Sequence, residues 1–241
     1  MAGLRVIAAA AAVANAILCA VAEPAQAGET NGASFLWFSG ADLWRAGAFL
    51  YGGALWSPAG LDASGFTLKL LLSGGNYTYY SGGLQTEVNG GLLSAAAMPG
   101  WRLIRDSLVV SLYGGPLVQD YRLTPDDPGS HLRGAYIGGQ FAADVWYQPS
   151  PAIMVALNGM IATIGPTGSL RGAVGERIFE PVFIGPEAQA IWCGFYDELR
   201  IGAHLTGWRV GALEWSAAAG LSVDTDHRFG PYVRLDVNVR Y

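Results

Sequence analysis

From Val233 to Tyr241 the chain alternates without a break. Val233, Leu235, Val237, Val239 and Tyr241 are apolar, and Arg234, Asp236, Asn238 and Arg240 between them are polar. Successive side chains on a β-strand point to opposite faces, so this segment reads as a strand with one wholly apolar and one wholly polar face. The pattern recurs upstream. Leu213, Trp215, Ala217, Ala219, Leu221 and Val223 oppose Glu214, Ser216, Ser222 and Asp224, while Leu199, Ile201, Ala203 and Leu205 oppose Arg200, His204 and Thr206. Ile137, Phe141, Val145 and Tyr147 oppose Tyr136, Gln140 and Asp144, and Phe66, Leu68, Leu70 and Leu72 oppose Thr67, Lys69 and Ser73.

Alternation alone fits a soluble sandwich as well as a membrane barrel, and composition separates the two. Only 14% of residues are charged, where a soluble domain carries about a quarter. The chain holds 34 glycines, 8 tryptophans and 11 tyrosines. No segment reads as a membrane helix. The longest uncharged stretch, Val145 to Leu170, is cut by Pro149, Pro151, Gly165 and Pro166, and its apolar centre covers only Ile153 to Ile164, where a crossing helix needs about 20 residues. A closed barrel is the other way to satisfy every backbone hydrogen bond in lipid, and repeated two-faced segments of about ten residues are its signature.

Segments between turn signals predict an all-β, antiparallel up-and-down transmembrane barrel of about twelve strands over residues 28–241, with ten or fourteen also compatible. The expected strands are approximately 33–39, 46–57, 65–79, 84–97, 106–121, 132–148, 151–164, 168–179, 181–192, 197–207, 209–223 and 231–241. An even count places both termini on the periplasmic side. Periplasmic turns are then expected near Ser57-Pro58, Pro99-Gly100, Pro149-Ser150-Pro151, Glu180-Pro181 and Thr206-Gly207. Trp56, Trp101, Trp146 with Tyr147, Phe179, Trp208 and Tyr241 stand beside that rim and predict an aromatic girdle at the headgroup level. Gly40–Arg45, Thr124–His131 and Asp224–Arg228 are expected as external loops.

The first residues read as a targeting segment. Arg5 gives a basic start, Val6 to Ala22 is apolar, and Ala25-Gln26-Ala27 is a small-x-small cleavage pattern. This predicts a secretory signal peptide over 1–27, and hence export to the outer membrane of a Gram-negative cell. The final aromatic, Tyr241, fits the C-terminal signal read by the barrel assembly machinery. A net charge of -5 without a basic run argues against nucleic acid as a partner. Once the signal peptide has left, Cys193 has no cysteine to pair with.

Catalytic chemistry finds little support. His131 and His227 fall in expected loops, and His204 lies on a polar strand face near Ser216 and Glu214 of the adjoining strand; no G-x-S-x-G elbow is present. No His, Cys and carboxylate cluster has metal-ligand spacing, and Asp126-Asp127 alone falls short of a calcium ligand set. The expectation is therefore a non-enzymatic chain without catalytic residues, metal or cofactor. What the alternation does single out is a lumen-facing set on four consecutive strands: Glu187, Arg200, His204, Glu214, Arg234, Asp236 and Arg240. These either form a satisfied polar plug or line a wet passage that, with Tyr136, Trp146 and Tyr232, handles a carbohydrate.

Several stretches carry a family likeness. Phe38-Ser39-Gly40-Ala41-Asp42-Leu43-Trp44-Arg45, Leu123-Thr124-Pro125-Asp126-Asp127-Pro128, Phe183-Ile184-Gly185-Pro186-Glu187, Arg200-Ile201-Gly202-Ala203-His204-Leu205-Thr206-Gly207, Glu214-Trp215-Ser216-Ala217 and Gly230-Pro231-Tyr232-Val233-Arg234-Leu235 resemble, in order, the BcsS-type cellulose biosynthesis proteins of α-proteobacteria. The resemblance implies an envelope component tied to the production or export of cellulose or a similar exopolysaccharide. Its partners would be outer-membrane lipid, the assembly machinery and cellulose or its secretion components. It supplies no catalytic residue to carry over. A general small-solute or oligosaccharide porin, and an outer-membrane lipid-modifying enzyme, are the alternatives.

Overall fold

A computed structural model describes residues 32–241 apart from 166, 194–195 and 225–226. The segment expected to be a signal peptide lies outside these residues, as does the Cys193 side chain. Twelve strands follow one another: β1 (Phe35–Trp44), β2 (Gly47–Trp56), β3 (Gly65–Ser81), β4 (Thr86–Arg105), β5 (Leu108–Thr124), β6 (Gly134–Ser150), β7 (Ile153–Ala162), β8 (Thr167–Phe179), β9 (Val182–Cys193), β10 (Tyr196–Val210), β11 (Leu213–Asp224) and β12 (Phe229–Arg240). Each pairs antiparallel with its neighbours in sequence, and β1 pairs with β12 to close the barrel. The seam is long, running from Leu36↔Arg240 to Trp44↔Tyr232. Tyr241 extends it, donating its N–H to the Phe35 carbonyl and accepting from Ser34 and Phe35 through its own carbonyl. Closure leaves no edge strand, which is the condition for standing in lipid.

The outer wall is apolar and open to its surroundings. Ile137 is 83% exposed, and Leu50, Leu221, Ile201, Leu112 and Leu93 are exposed as well. A water-soluble protein does not display a continuous apolar band around its whole circumference; hydrocarbon is the solvent that accepts it. Among the described residues no helix is long and apolar enough to cross a membrane.

The two ends differ only in part, because the terminal end also carries the eight-residue 57–64 connection and the opposite end the two-residue 45–46 turn. At the end bearing both termini, β4–β5, β6–β7, β8–β9 and β10–β11 are joined by short turns at 106–107, 151–152, 180–181 and 211–212. The opposite end carries the longer 125–133 connection. Trp56, Trp101, Tyr147, Phe179, Trp208 and Tyr241 all stand exposed near the terminal rim, as the girdle predicts. Trp146 does not: it is buried and turns inward against Phe183, because Tyr147 beside it takes the outward position.

Three boundaries depart from the sequence reading. The turn expected at Pro99-Gly100 lies within β4, which runs on to Arg105. The β4–β5 ladder lapses between Ala96↔Leu117 and Gly100↔Tyr113 and then resumes in the same register, since Pro99 and Pro116 have no N–H to give. Thr206-Gly207 is likewise no turn but a bulge in β10, where the register against β11 shifts between Leu205 and Trp208. Gly207 holds φ +85 there, the left-handed conformation that a bulge glycine supplies. Finally, Gly40–Arg45 is not an external loop, because β1 continues to Trp44 and carries Asp42 inside the barrel.

Candidate functional site

Among the described residues the lumen gathers most of the buried ionisable side chains, and alternation dictates which ones enter it. Glu187, Arg200, His204, Glu214 and Arg234 are buried, and Asp236 and Arg240 are partly buried on the same inner face. Register then decides which of them meet. Arg102↔Ser111, Ser111↔Asp144, Asp144↔Asn158, Asn158↔Arg171, Arg171↔Gln189, Gln189↔Arg200 and Arg200↔Ser222 are successive cross-strand partners from β4 to β11. All eight are buried polar residues. One polar position per strand thus forms a row. It begins near the terminal end of β4 and finishes near the opposite end of β11, because a barrel's stagger makes any cross-strand row climb the wall.

Hydrogen bonds join much of this row into a belt. Lys69 donates to Asp144 at 3.2 Å and Asn158 donates to Asp144 at 3.4 Å. Arg171 donates to the Asn158 carbonyl oxygen at 3.4 Å and to Glu187 Oε2 at 2.9 and 2.7 Å. Glu187 also accepts from Arg234 and from the Tyr232 hydroxyl, both at 2.8 Å. Arg234 stands 3.4 Å from Asp236, which accepts the Tyr51 hydroxyl. Arg200 pairs with Asp42 at 2.8 Å and with Glu198 at 2.9 Å, and its guanidinium lies against the rings of Trp44 and Tyr232. Several of these links cross the lumen instead of following the wall. Lys69–Asp144 joins β3 to β6, Arg234–Glu187 joins β12 to β9, and Arg200–Asp42 joins β10 to β1. Side chains from separated walls therefore touch, and the barrel is filled at this level.

Buried charges are stable only when paired and hydrogen-bonded, and the belt meets that condition with carboxylates shared among arginines. Below and above it the filling is apolar and aromatic: Phe38, Phe49, Tyr77, Tyr79, Met98, Leu117 and Tyr121 belong to one buried cluster. Both mouths are covered by chain. At the terminal end the 57–64 connection folds in, with Leu61 buried and its N–H bonded to the Ala33 carbonyl. At the other end the 125–133 connection buries Asp127, Ser130 and Leu132 and is tied down by the Tyr79 hydroxyl donating to Asp127 at 3.0 Å. This corrects the reading of Thr124–His131 as a freely exposed loop. Its two aspartates part company, since Asp126 takes Arg133 in a two-pronged pair.

The remaining expected lumen residues lie away from the belt's centre. Glu214 accepts from Arg209 at 2.9 Å, and Arg240 reaches the rim to pair with Asp62 at 3.1 Å. His204 lies with Nε2 3.2 Å from the Val174 carbonyl and Nδ1 3.0 Å from the Thr206 hydroxyl. A carbonyl can only accept, so the contact with Val174 places a proton on Nε2, and the Thr206 hydroxyl can serve Nδ1 as donor or acceptor. Tyr136 sits at the outer mouth bonded to the His131 carbonyl, not in the passage with Tyr232. Sequence reasoning put Lys69 and Asp144 on polar strand faces without adding them to the lumen set, and it passed over Asp42, Tyr51, Asn158, Arg171 and Glu198 as belt members. Most occupy inward positions of their strands, a signal that was legible; what could not be read was the partner each would find. Among the described residues no three His, Cys, Asp or Glu side chains group as metal ligands.

Comparison with solved structures gives the same architecture at low identity. A monoaromatic hydrocarbon channel, the TodX deltaS2S3 mutant, superposes with a TM-score of 0.53 at 10% identity, covering 91% of this chain and 92% of that one. The translocator domain of the autotransporter NalP from Neisseria meningitidis gives 0.50 at 12% identity, covering 90% and 91%. The KdgM porin gives 0.46 at 11% identity, covering 86% and 99%. The first two establish an outer-membrane type of barrel and nothing finer. No curated protein matches in sequence. The profile of the family described as "Cellulose biosynthesis protein BcsS" matches residues 36–241, from the first strand to the last residue. The chain belongs to the cellulose biosynthesis protein BcsS family.

Proposed function

We propose that this barrel stands in the outer membrane as a non-enzymatic component of cellulose secretion, delivered there by removal of the 1–27 signal peptide. It supports the crossing or surface attachment of the polymer with a lumen that is closed at rest. The observation that carries this reading is how the inner wall uses its ionisable groups. Glu187 serves Arg171, Arg234 and Tyr232 at once, Asp42 and Glu198 serve Arg200, and both nitrogens of His204 are engaged. A general base or nucleophile has to face a reacting group, whereas these groups face one another. Outer-membrane lipid surrounds the apolar wall, the assembly machinery inserts the chain, and cellulose or its secretion components are the functional partners.

The test is a clean deletion complemented by wild type or by a Glu187→Gln, Arg171→Gln variant. Deletion is expected to reduce secreted cellulose and pellicle formation, with wild type restoring both. Unchanged cellulose after deletion would refute the reading. Planar-bilayer recording separates it from a general porin: purified wild-type protein is expected to give no steady ion-conducting steps, and sustained open steps would favour the porin.

A further inference from the structure

Arg102 breaks the rule that the rest of the lumen keeps. Every other inner-wall cation described above has a carboxylate: Lys69 has Asp144, Arg171 has Glu187, Arg200 has Asp42 and Glu198, Arg234 has Glu187 and Asp236, and Arg240 has Asp62. Arg102 is only 4% exposed, yet its guanidinium makes no ion pair or hydrogen bond among the described residues, and its Nε is fully enclosed without a partner. Tyr113, Arg240, Asp62 and Asp144 lie within electrostatic range of it, so a second cation and two carboxylates surround it without bonding it. The Arg240 Nε is also buried without a partner, its Asp62 contact being made through another nitrogen. The Thr67 hydroxyl, diagonal to Arg102 on the same inner face by the Gly65↔Arg102 and Thr67↔Gly100 register, is a third enclosed polar atom without one.

A buried guanidinium needs an oxygen acceptor, and here the carboxylates in range are taken by other cations, Asp62 by Arg240 and Asp144 by Lys69, so that none bonds Arg102. The position is equally informative. Arg102 lies three residues from the end of β4, about 10 Å from the terminal rim along the strand, and faces the lumen. A phospholipid headgroup in the surrounding leaflet is separated from it by the barrel wall, while a solute at the terminal end has only the 57–64 connection to pass.

We propose that Arg102 and Arg240, with the Thr67 hydroxyl, form a binding site for a single oxyanion, the phosphate or carboxylate group of a soluble ligand entering the terminal mouth. Arg102 is the principal contact, because its fork of donors is uncommitted and matches an oxyanion in two-pronged geometry. Arg240 adds charge from the rim while keeping Asp62.

The test uses the full barrel folded in zwitterionic micelles free of phosphate. Unfolding temperature is followed on titration with inorganic phosphate, with glucuronate, and with neutral glucose, at matched ionic strength in chloride. Wild type is expected to show a saturable rise with phosphate or glucuronate and none with glucose. Arg102→Gln is expected to weaken the affinity at least tenfold and, without added anion, to unfold at a higher temperature than wild type, since it removes a buried charge that has no partner. Arg105→Gln, on the exposed side of the same strand, should respond as wild type. If Arg102→Gln does not fold, Arg102→Lys, which keeps the charge but loses the fork, should bind measurably more weakly than wild type. Equal responses of wild type and the Arg102 variants, or no saturable response above chloride, would overturn the proposal. So would a response to phosphatidylglycerol in mixed micelles but not to the soluble anions, which would assign the site to lipid.

Discussion

Replacing Glu187 by alanine removes the acceptor that β8, β9 and β12 share. Its carboxylate, with no exposed side-chain surface, takes two hydrogen bonds from Arg171, one from Arg234 and one from Tyr232. Breaking a buried pair from one side leaves an uncompensated charge and costs about 3–5 kcal/mol. Here two guanidiniums lose their partner, but each keeps a fallback, Arg171 in Asn158 and Arg234 in Asp236. The orphaned Tyr232 hydroxyl adds about 1 kcal/mol, for an expected loss of roughly 4 kcal/mol, or about a thousandfold in the folded-to-unfolded ratio. Equilibrium urea unfolding in micelles, followed by tryptophan fluorescence and by the heat-modifiable gel band, measures it. Arg171→Gln in the Glu187→Gln background should recover part of the loss of the single Glu187→Gln variant, because it removes one of the charges left without a partner. A Glu187→Ala protein within about 1 kcal/mol of wild type, or a pair of substitutions whose costs simply add, would refute the belt as a coupled network.

Four further outcomes follow from the same geometry. Deleting Tyr241, whose backbone extends the β1–β12 seam, is expected to lower the yield of the heat-modifiable folded band in outer-membrane fractions; an unchanged yield would remove its assembly role. Leu72→Arg places a charge on the exposed face of β3, near mid-wall, and should cost about 2–4 kcal/mol of folding stability in lipid vesicles. Tyr79→Phe removes the hydroxyl that holds Asp127, so protease added to intact cells should cut the 125–133 connection faster than in wild type while the strands stay protected. Gly207→Ala sets a Cβ 2.5 Å from the Pro181 carbonyl at a φ of +85, with an expected destabilisation of about 1–3 kcal/mol in the same urea assay.

Local pattern carried the fold a long way. Alternation assigned inner and outer faces along β3, β6, β10, β11 and β12 because it rests on a steric property of each strand alone, the opposite pointing of successive side chains. The same logic put Glu187, Arg200, Arg234 and Asp236 on the inner wall, and the scarcity of charge together with the absence of a long apolar helix left a closed barrel as the architecture. Errors came where a local signal had two meanings. Gly207 marks a bulge as readily as a turn, Pro99 interrupts a ladder without ending its strand, and Gly40 hid Asp42 in a supposed loop. What the chain could not announce is register and stagger. Whether Arg171 meets Glu187, whether Lys69 reaches Asp144 across two intervening strands, and whether Arg102 finds no carboxylate are fixed only when β1 closes on β12 and brings distant walls within a side chain's reach. Those contacts join residues far apart in sequence, so the tertiary structure alone decided them.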